Sequence, residues 1–317
     1  MGKPVLIYMG TPEFAVPPLE ALCEAGLPPA VVYSQPDRPR GRGRKVFPTP
    51  VAEAARRLGL EIRQPEVLQT RDEREQLEAL QPDLILTVAY GKILRRRWLK
   101  LPRVGAVNLH PSPLPRYRGM NPMGRTLMRG DAWTGVSGFL MDEGTDTGPI
   151  LKQILTPVDP METLGDLSRR LARLGGGLLI DIVKEAMEGS LQPVAQDEDL
   201  ATIAAPFDTE ESHLSWRQPA IHIHNRIRAM SPDPGVIVRW RDRCCKILRS
   251  RPLDEIQHPE PPGQMLPGLK GHPPRVVCRP GLIELLEIQP EGKAVIPGEA
   301  WYRGCRALDG PVFLEEI

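Results

Sequence analysis

The fold follows from the stretch Val5-Leu6-Ile7-Tyr8-Met9, an unbroken apolar run, and from the amphipathic segment Phe14 to Glu24 that comes next. An apolar run of this length predicts a buried strand, and apolar residues at helical spacing predict a helix. The alternation then repeats, with strands predicted over Ala30 to Ser34, Asp83 to Ala89 and Val104 to His110, and helices over Val51 to Leu58 and Arg71 to Leu80. This order is typical of an open, mainly parallel α/β sheet.

The pattern changes in the second half of the chain. Trp133 to Met141 and Ile150 to Leu155 predict two more strands, and a long helix from Thr163 to Glu188 closes the first predicted domain. Beyond it, short strands between Pro and Gly turns predict a small β-barrel with a helix at its entry; the helix is Ile221 to Ala229 and the strands are Val236 to Trp240, Lys246 to Leu248, Arg275 to Cys278 and Ile283 to Glu287. We therefore predict a first domain over 1–188, a linker over 189–207 and a second domain over 208–317.

Composition excludes several classes of protein. The 317 residues carry 41 Lys and Arg against 40 Asp and Glu, and a net charge of +1 excludes a wholesale polycation that coats DNA. No apolar run reaches the roughly 18 to 20 residues needed to span a bilayer, so membrane residence is not expected. The five cysteines form no C-x-x-C pair, which argues against a disulfide framework or a zinc site. The first strand begins at Val5 and leaves no room for a signal peptide, so the expected compartment is the cytoplasm.

The positive charge is concentrated in particular segments. Gln35 to Lys45 is a flexible basic loop in which Arg38, Arg40, Arg42, Arg44 and Lys45 alternate with Pro and Gly. Such a loop suits wrapping around a phosphate backbone or its bent end. A solvated surface loop is the alternative reading of the same pattern.

The histidine distribution points to a candidate site. Of the six histidines, only His110 precedes residue 212, and it stands at the carboxyl end of a predicted sheet strand, the edge at which open α/β sheets bind ligands. Asn108 lies two residues earlier and therefore points to the same side of the strand. The alternative is a strand end at which both side chains cap a turn before Pro111.

An acidic loop supplies a third candidate group. Met141 to Gly148 contains three carboxylates between two apolar strands. An Asp in such a loop can orient a histidine, while an amide and an imidazolium can donate to a developing oxyanion. The group lacks an obvious Ser or Cys nucleophile, which favours transfer between two bound substrates over covalent catalysis. A polar hairpin or a cation site is the alternative reading of the loop.

The motifs together resemble a known family. Asn108-Leu109-His110-Pro111-Ser112-Pro113-Leu114-Pro115, taken with Met141 to Gly148 and with Val88-Ala89-Tyr90-Gly91, resembles the folate-dependent formyltransferases. The resemblance implies an α/β, Rossmann-like N-terminal formyltransferase domain and a smaller C-terminal β-barrel domain similar to an OB fold. It also implies 10-formyltetrahydrofolate as formyl donor, with no metal, and methionyl initiator tRNA as acceptor.

The resemblance assigns roles to individual positions. Asn108, His110 and Asp146 match the catalytic residues of the family. Ser112, Pro113, Leu114 and Pro115 match its folate-binding segment, and Val88, Ala89, Tyr90, Gly91, Met141 and Asp142 would wall the pterin pocket. Arg42 matches a basic residue of the loop that contacts tRNA in the family.

Two alternatives to this function stay open. One is a formyltransferase or formyl-folate hydrolase that acts on a small molecule such as glycinamide ribonucleotide; the second domain and the basic loop argue against it, because a small substrate needs neither. The other is a non-catalytic RNA-binding protein, which would have no use for an aligned amide, imidazole and carboxylate. DNA and membranes are not expected partners, and a monomer is sufficient for one RNA that spans both domains.

Overall fold

The structure is a computed structural model that describes residues 3–40, 45–241, 243–253, 257–266, 272–306 and 312–315. The chain divides into two compact units. The first unit comprises Met1–Gly119, Thr134–Thr156 and Ser168–Ile203, and the second comprises Met120–Trp133, Pro157–Leu167 and Ala204–Ile317. The boundaries that we predicted at 188 and 207 stay predictions.

Secondary structure alternates between strand and helix up to residue 188. In chain order the elements are β1 (Leu6–Gly10), α1 (Val16–Glu24), β2 (Val31–Tyr33), β3 (Arg38–Arg40), β4 (Lys45–Phe47), α2 (Pro50–Arg57), β5 (Ile62–Arg63), α3 (Arg71–Ala79), β6 (Leu84–Val88), α4 (Arg96–Leu99), β7 (Gly105–His110), α5 (Pro122–Arg129), β8 (Trp133–Leu140), β9 (Ile150–Pro157) and α6 (Leu164–Glu188). Local chemistry sets the helix starts: Thr49 and Thr70 each accept a hydrogen bond through their hydroxyl from the amide three residues on, and so cap α2 and α3.

A seven-stranded sheet forms the centre of the first unit. Its strand order is β5-β2-β1-β6-β7-β8-β9. The strands from β5 to β7 pair in parallel, and β8 runs antiparallel to β7. Strands β1 and β6 are buried along their whole length, as expected for a sheet covered on both faces. The predicted mainly parallel sheet is confirmed.

Close helix packing fixes the position of β7. Gly175 lies in α6, where a Cβ atom would come within 2.4 Å of Cδ2 of Leu109. A larger residue here would have to displace the buried Leu109 side chain, so the glycine lets the helix approach the strand closely. Leu109 stands between Asn108 and His110, so the packing of α6 holds the part of β7 that carries both candidate residues.

The second unit contains an antiparallel sheet and the remaining helices. Its elements after residue 204 are α7 (Ala220–Ala229), β10 (Val236–Trp240), β11 (Arg243–Pro252), β12 (Gln264–Leu266), β13 (Arg275–Val277), β14 (Leu282–Pro290), β15 (Ile296–Pro297), α8 (Gly298–Arg306) and β16 (Val312–Phe313). The strand order is β10-β11-β14-β13-β12-β16, with β15 beside β14. The core around Trp216, Ile223 and Leu285 is apolar, and α5 packs against α7. This half-barrel confirms the predicted smaller β domain.

None of the helices in the described part of the chain combines the length and the apolarity that crossing a bilayer requires.

Candidate active site

His110 ends strand β7 and is held between two acceptors. Its side chain is buried, with Nε2 2.8 Å from the backbone oxygen of Tyr117. A carbonyl oxygen only accepts, so Nε2 carries a proton, and Nδ1 lies 3.6 Å from Oδ2 of Asp146. The imidazolium form of histidine can donate from both nitrogens, and this arrangement places an acceptor opposite each of them.

Asp146 reaches the histidine from the acidic loop between β8 and β9. Its backbone is left-handed, with φ of 55°, a conformation that side-chain-bearing residues seldom adopt. Its Oδ2 accepts a hydrogen bond of 2.8 Å from the amide of Gly119. The carboxylate is thereby fixed beside His110 from a second direction.

Asn108 points to the same edge of the sheet and has its own support. Thr87 is its register partner on β6, and the Thr87 hydroxyl donates to Oδ1 of Asn108 over 2.8 Å. With the amide oxygen occupied in this way, the NH2 group is the part of Asn108 that remains to donate to a ligand. Sequence reasoning missed Thr87, although a hydroxyl-bearing residue within the apolar run Leu84 to Val88 was a signal.

The structure thus brings Asn108, His110 and Asp146 together. Asn108 and His110 lie on the same face of β7, and Asp146 reaches them from the loop after β8. A neutral donor, a potential cation and a carboxylate at one strand end can stabilise negative charge on a substrate oxygen and handle a proton.

The predicted folate-binding segment is tied to the sheet by hydrogen bonds. Ser137 on β8 is the centre of this network: its hydroxyl accepts from the amide of Leu114 over 3.1 Å and donates to the carbonyl of Ser112 over 2.7 Å. Gln153 donates to the carbonyl of Leu114 over 3.0 Å. Ser112 and Leu114 are buried, while Pro113 and Pro115 are partly exposed. The two prolines are therefore the residues of this segment that face outward, and sequence reasoning did not find Ser137 or Gln153.

The segment after β6 presents backbone and small side chains. Val88 and Tyr90 are buried, and Ala89 and Gly91 are exposed. Burial raises the pKa of the Tyr90 phenol, which stays protonated. The carbonyl of Tyr90 accepts from Thr11 over 2.9 Å and is thus held at the sheet edge. A ligand here would meet the exposed residues Ala89 and Gly91 rather than the Tyr90 ring.

The other two residues predicted to wall the pocket begin the acidic loop. Met141 is partly buried, and its amide donates to the carbonyl of Ala106 over 2.8 Å. Asp142 is exposed, and its Oδ1 accepts from the amide of Gly144 and from the hydroxyl of Thr147. Asp142 therefore stabilises the conformation of the acidic loop through these two hydrogen bonds.

The basic loop Gln35 to Lys45 includes strand β3 and the first residue of strand β4, which pair as a two-stranded hairpin. Arg38 and Arg40 belong to β3 and Lys45 to β4, whereas Arg42 and Arg44 lie outside the described residues. The Arg38 side chain is exposed and faces Glu66 at 3.9 Å.

Asp37 anchors the base of this hairpin. Its Oδ1 accepts from Gln64 over 2.6 Å and from the amide of Thr49 over 3.3 Å. Partial burial on its own would raise the pKa of Asp37, but these hydrogen bonds and Arg56 lower it on balance. The carboxylate therefore stays charged and holds the hairpin to the sheet edge.

Among the described residues, no group of three or more His, Cys, Asp and Glu side chains is placed to hold a metal ion. All five cysteines are free, and burial raises the pKa of the Cys245 and Cys278 thiols to about 12.

Comparison with solved structures shows the fold. An N-formyltransferase from Helicobacter canadensis, in complex with folinic acid and dTDP-3-aminofucose, aligns over 92% of this chain and 100% of its own with a TM-score of 0.65 and 18% identity. A sugar 3N-formyltransferase in the presence of dTDP and 5-N-formyl-THF aligns over 93% of this chain and 100% of its own, with a TM-score of 0.66 and 18% identity.

Sequence comparison shows the family. Residues 3–183 match the formyl transferase family and residues 206–306 match the formyl transferase C-terminal domain. The methionyl-tRNA formyltransferase of Halorhodospira halophila is 41% identical over 96% of this chain and 97% of its own. That of Moorella thermoacetica is 40% identical over 97% of this chain and 98% of its own. The chain belongs to the methionyl-tRNA formyltransferase family.

Proposed function

We propose that this enzyme transfers the formyl group of 10-formyltetrahydrofolate to the α-amine of methionyl initiator tRNA, giving N-formylmethionyl-tRNA for translation initiation. The observation that carries the proposal is the identity of about two residues in five with methionyl-tRNA formyltransferases, over 96% of this chain in one case. The cluster of Asn108, His110 and Asp146 supports it, because acyl transfer to an amine develops negative charge on the acyl oxygen.

Asn108 and His110 act on the formyl oxygen. The Asn108 NH2 donates to the oxygen as its charge grows, and His110, whose two ring nitrogens face Tyr117 and Asp146, stabilises that charge as a nearby cation. Asp146 keeps His110 in its orientation and stabilises the cation across 3.6 Å. The amine loses a proton as its bond to the formyl carbon forms, and this proton passes through His110 or a bound water to the folate nitrogen as the bond between that nitrogen and the formyl carbon breaks.

The folate is bound along the same sheet edge. 10-Formyltetrahydrofolate supplies the formyl group when bound. The residues present suit it: the Asn108 NH2 can donate to a ligand, and Pro113 and Pro115 present partly exposed apolar side chains in the segment that follows β7. Ala89, Gly91 and Met141 would line the pterin side. The Ser137 network keeps the proline-rich segment in place while the substrate binds.

The basic segment from Arg38 to Lys45 would bind the tRNA. Arg38, Arg40, Arg42, Arg44 and Lys45 place five cations within eight residues, and phosphates are their natural partners. We therefore expect the KM for tRNA to rise steeply with salt. Arg42→Ala combined with Arg44→Ala should raise the KM for tRNA more than the KM for folate, and equal effects on the two would contradict tRNA binding by the hairpin.

We further propose that the enzyme works in the cytoplasm as a monomer, where charged tRNA and folate are both available. Gel filtration coupled to light scattering should give a mass near 35.3 kDa. A larger species would refute the monomer.

One assay tests the activity. Radiolabelled formyl transfer from 10-formyltetrahydrofolate is measured to charged initiator tRNA, with elongator methionyl-tRNA and glycinamide ribonucleotide as controls. Formylation of glycinamide ribonucleotide in preference to the tRNA would refute the proposed acceptor.

Two variants test the chemistry. Asn108→Ala removes one oxyanion donor and should lower kcat by about 10²- to 10³-fold. His110→Ala should be at least as severe, and near-normal turnover by a folded His110→Ala enzyme would overturn its catalytic role.

A further inference from the structure

The 194–203 segment belongs to the predicted linker, yet in the structure it is part of the first unit. Val194 exchanges two backbone hydrogen bonds of 2.8 Å with Ile150, and Ile203 forms a bridge with Arg118. Between these two points the segment passes the residues that contact His110.

Gln196 is the centre of this contact. Its amide nitrogen donates to the carbonyls of Asp146 and Gly148, over 2.8 and 2.7 Å. Its amide oxygen accepts from Nε and Nη2 of Arg118, over 3.1 and 2.9 Å. Both hydrogens and both lone pairs of the side-chain amide are therefore used within the protein.

Arg118 in turn is fixed. Arg118 is 5% exposed, and its guanidinium forms a bidentate pair with Glu198, in which both N–O distances are 2.8 Å. This pair raises the pKa of Arg118, so the cation persists. A buried, doubly held guanidinium leaves Gln196 one orientation, with its NH2 directed at the acidic loop.

Thr202 supports the other partner of His110. The Thr202 hydroxyl accepts from the amide of Tyr117, and the Thr202 carbonyl accepts from the amide of Arg118, both over 2.8 Å. The carbonyl of Tyr117 is the acceptor for Nε2 of His110.

Both partners of His110 have a backbone that needs support. Tyr117 has φ of 63° and Asp146 has φ of 55°, and neither is glycine. Residues with side chains persist in the left-handed region only where their surroundings hold them there. The 194–203 segment contacts the backbone of both.

On the basis of the proposed function, we propose that Gln196 is a positioning residue for formyl transfer: it holds the Asp146 backbone so that the carboxylate faces His110. Gln196 does not touch the substrates, because its polar atoms are all committed to Asp146, Gly148 and Arg118. Without it, the peptide after Asp146 can rotate, and Oδ2 moves away from Nδ1 of His110.

The test compares three variants of the full-length enzyme. Gln196→Met keeps the size of the side chain and removes its hydrogen bonds. Gln196→Glu keeps an acceptor for Arg118 but directs a carboxylate at two carbonyls. Gln192→Met is the matched control, because Gln192 is exposed in the same predicted linker.

We expect both Gln196 variants to lose about 10- to 100-fold in kcat, the scale of a misplaced catalytic group. KM for tRNA and for folate should stay within about twofold of the wild-type values, since neither substrate contacts Gln196. Gln192→Met should match the wild type. On an Asp146→Ala background, Gln196→Met should cause no further loss, because the carboxylate it positions is gone.

An unchanged kcat in either Gln196 variant would overturn the proposal. So would a loss that appears in KM, or one that persists in full without Asp146. A fall in melting temperature alone, with normal kcat below the transition, would make Gln196 merely structural and would also overturn it. These results differ from a failure of the proposed function, in which the wild-type enzyme itself does not formylate methionyl initiator tRNA.

Discussion

Replacing Thr87 by valine removes one hydroxyl group and almost no volume, which isolates the support of Asn108. Thr87 is buried in β6, and its hydroxyl lies 2.8 Å from Oδ1 of Asn108 and 3.2 Å from the carbonyl of Val107. The shorter contact is the hydrogen bond that selects one orientation of the amide. Valine leaves the amide free to turn its oxygen toward the substrate.

The size of the effect follows from the value of that hydrogen bond. A neutral hydrogen bond contributes about 0.5 to 1.5 kcal/mol net, and 1.4 kcal/mol corresponds to about tenfold in rate. The Thr87→Val enzyme should therefore lose about 2- to 10-fold in kcat, well below the roughly 10²- to 10³-fold expected when the Asn108 donor is removed. Thr87→Ser keeps the hydroxyl and should retain most of the activity.

The assay is single-turnover formyl transfer at saturating folate and tRNA, with melting temperatures measured in parallel. The double variant with Asn108→Ala provides the decisive comparison, because it removes the amide that the Thr87 hydroxyl orients. We expect Thr87→Val to add nothing on that background. An equal fold loss in both backgrounds would refute the role of Thr87 as the residue that orients Asn108.

Two further predictions concern stability. Burial lowers the pKa of His224, whose ring contacts Ser250 and the carbonyl of Pro160, so the unfolded chain binds a proton more readily than the native one. The stabilising contribution of the neutral His224 should be fully present above its unfolded-state pKa of about 6.5 and should be lost as the pH falls below that value. His224→Gln should therefore weaken the dependence of the melting temperature on pH between pH 7 and pH 5, and an unchanged dependence would contradict this. Gly130 ends α5 with φ of 73°, and a Cβ there would lie 2.6 Å from the side chain of Asn225, so Gly130→Ala should cost about 1 to 2 kcal/mol in urea unfolding. Gly177→Ala is the control, because Gly177 lies inside α6 with open space around its Cβ position and should stabilise the protein.

Most of the fold could be predicted from the periodicity and the length of the apolar runs. All six strands predicted before residue 160 are present within about two residues. α5 was missed because Pro122 to Arg129 is short and follows a loop, and it is stabilised by packing against α7 rather than by its own pattern. The hairpin β3–β4 was interpreted as a flexible loop, since its alternating Arg, Pro and Gly residues carry no apolar period.

The candidate site, too, could be predicted from the sequence only in part. Asn108 and His110 could be placed together because period-two alternation in a strand is a local property. The roles of Thr87, Ser137 and Gln196 could not be predicted, because each of them contacts residues that are distant in the sequence. Only the strand order of the sheet and the path of the 194–203 segment bring these residues into contact. Their side chains are chemically ordinary, and nothing in one sequence marks a Gln as a hydrogen-bond centre.

The path of the chain between its two units limits how the enzyme can be divided. The boundary is crossed at 119/120, 133/134, 156/157, 167/168 and 203/204. No single cut therefore releases either unit whole, and a fragment that ends at Glu188 would lack Gln196 and Thr202. A chimera that takes its C-terminal third from a relative would keep the host's Met120–Trp133 and Pro157–Leu167 inside the donor's unit. A chimera should therefore fold with an intact second unit only when Met120–Trp133 and Pro157–Leu167 are exchanged together with the C-terminal third, because the units are compact in space but interleaved along the sequence.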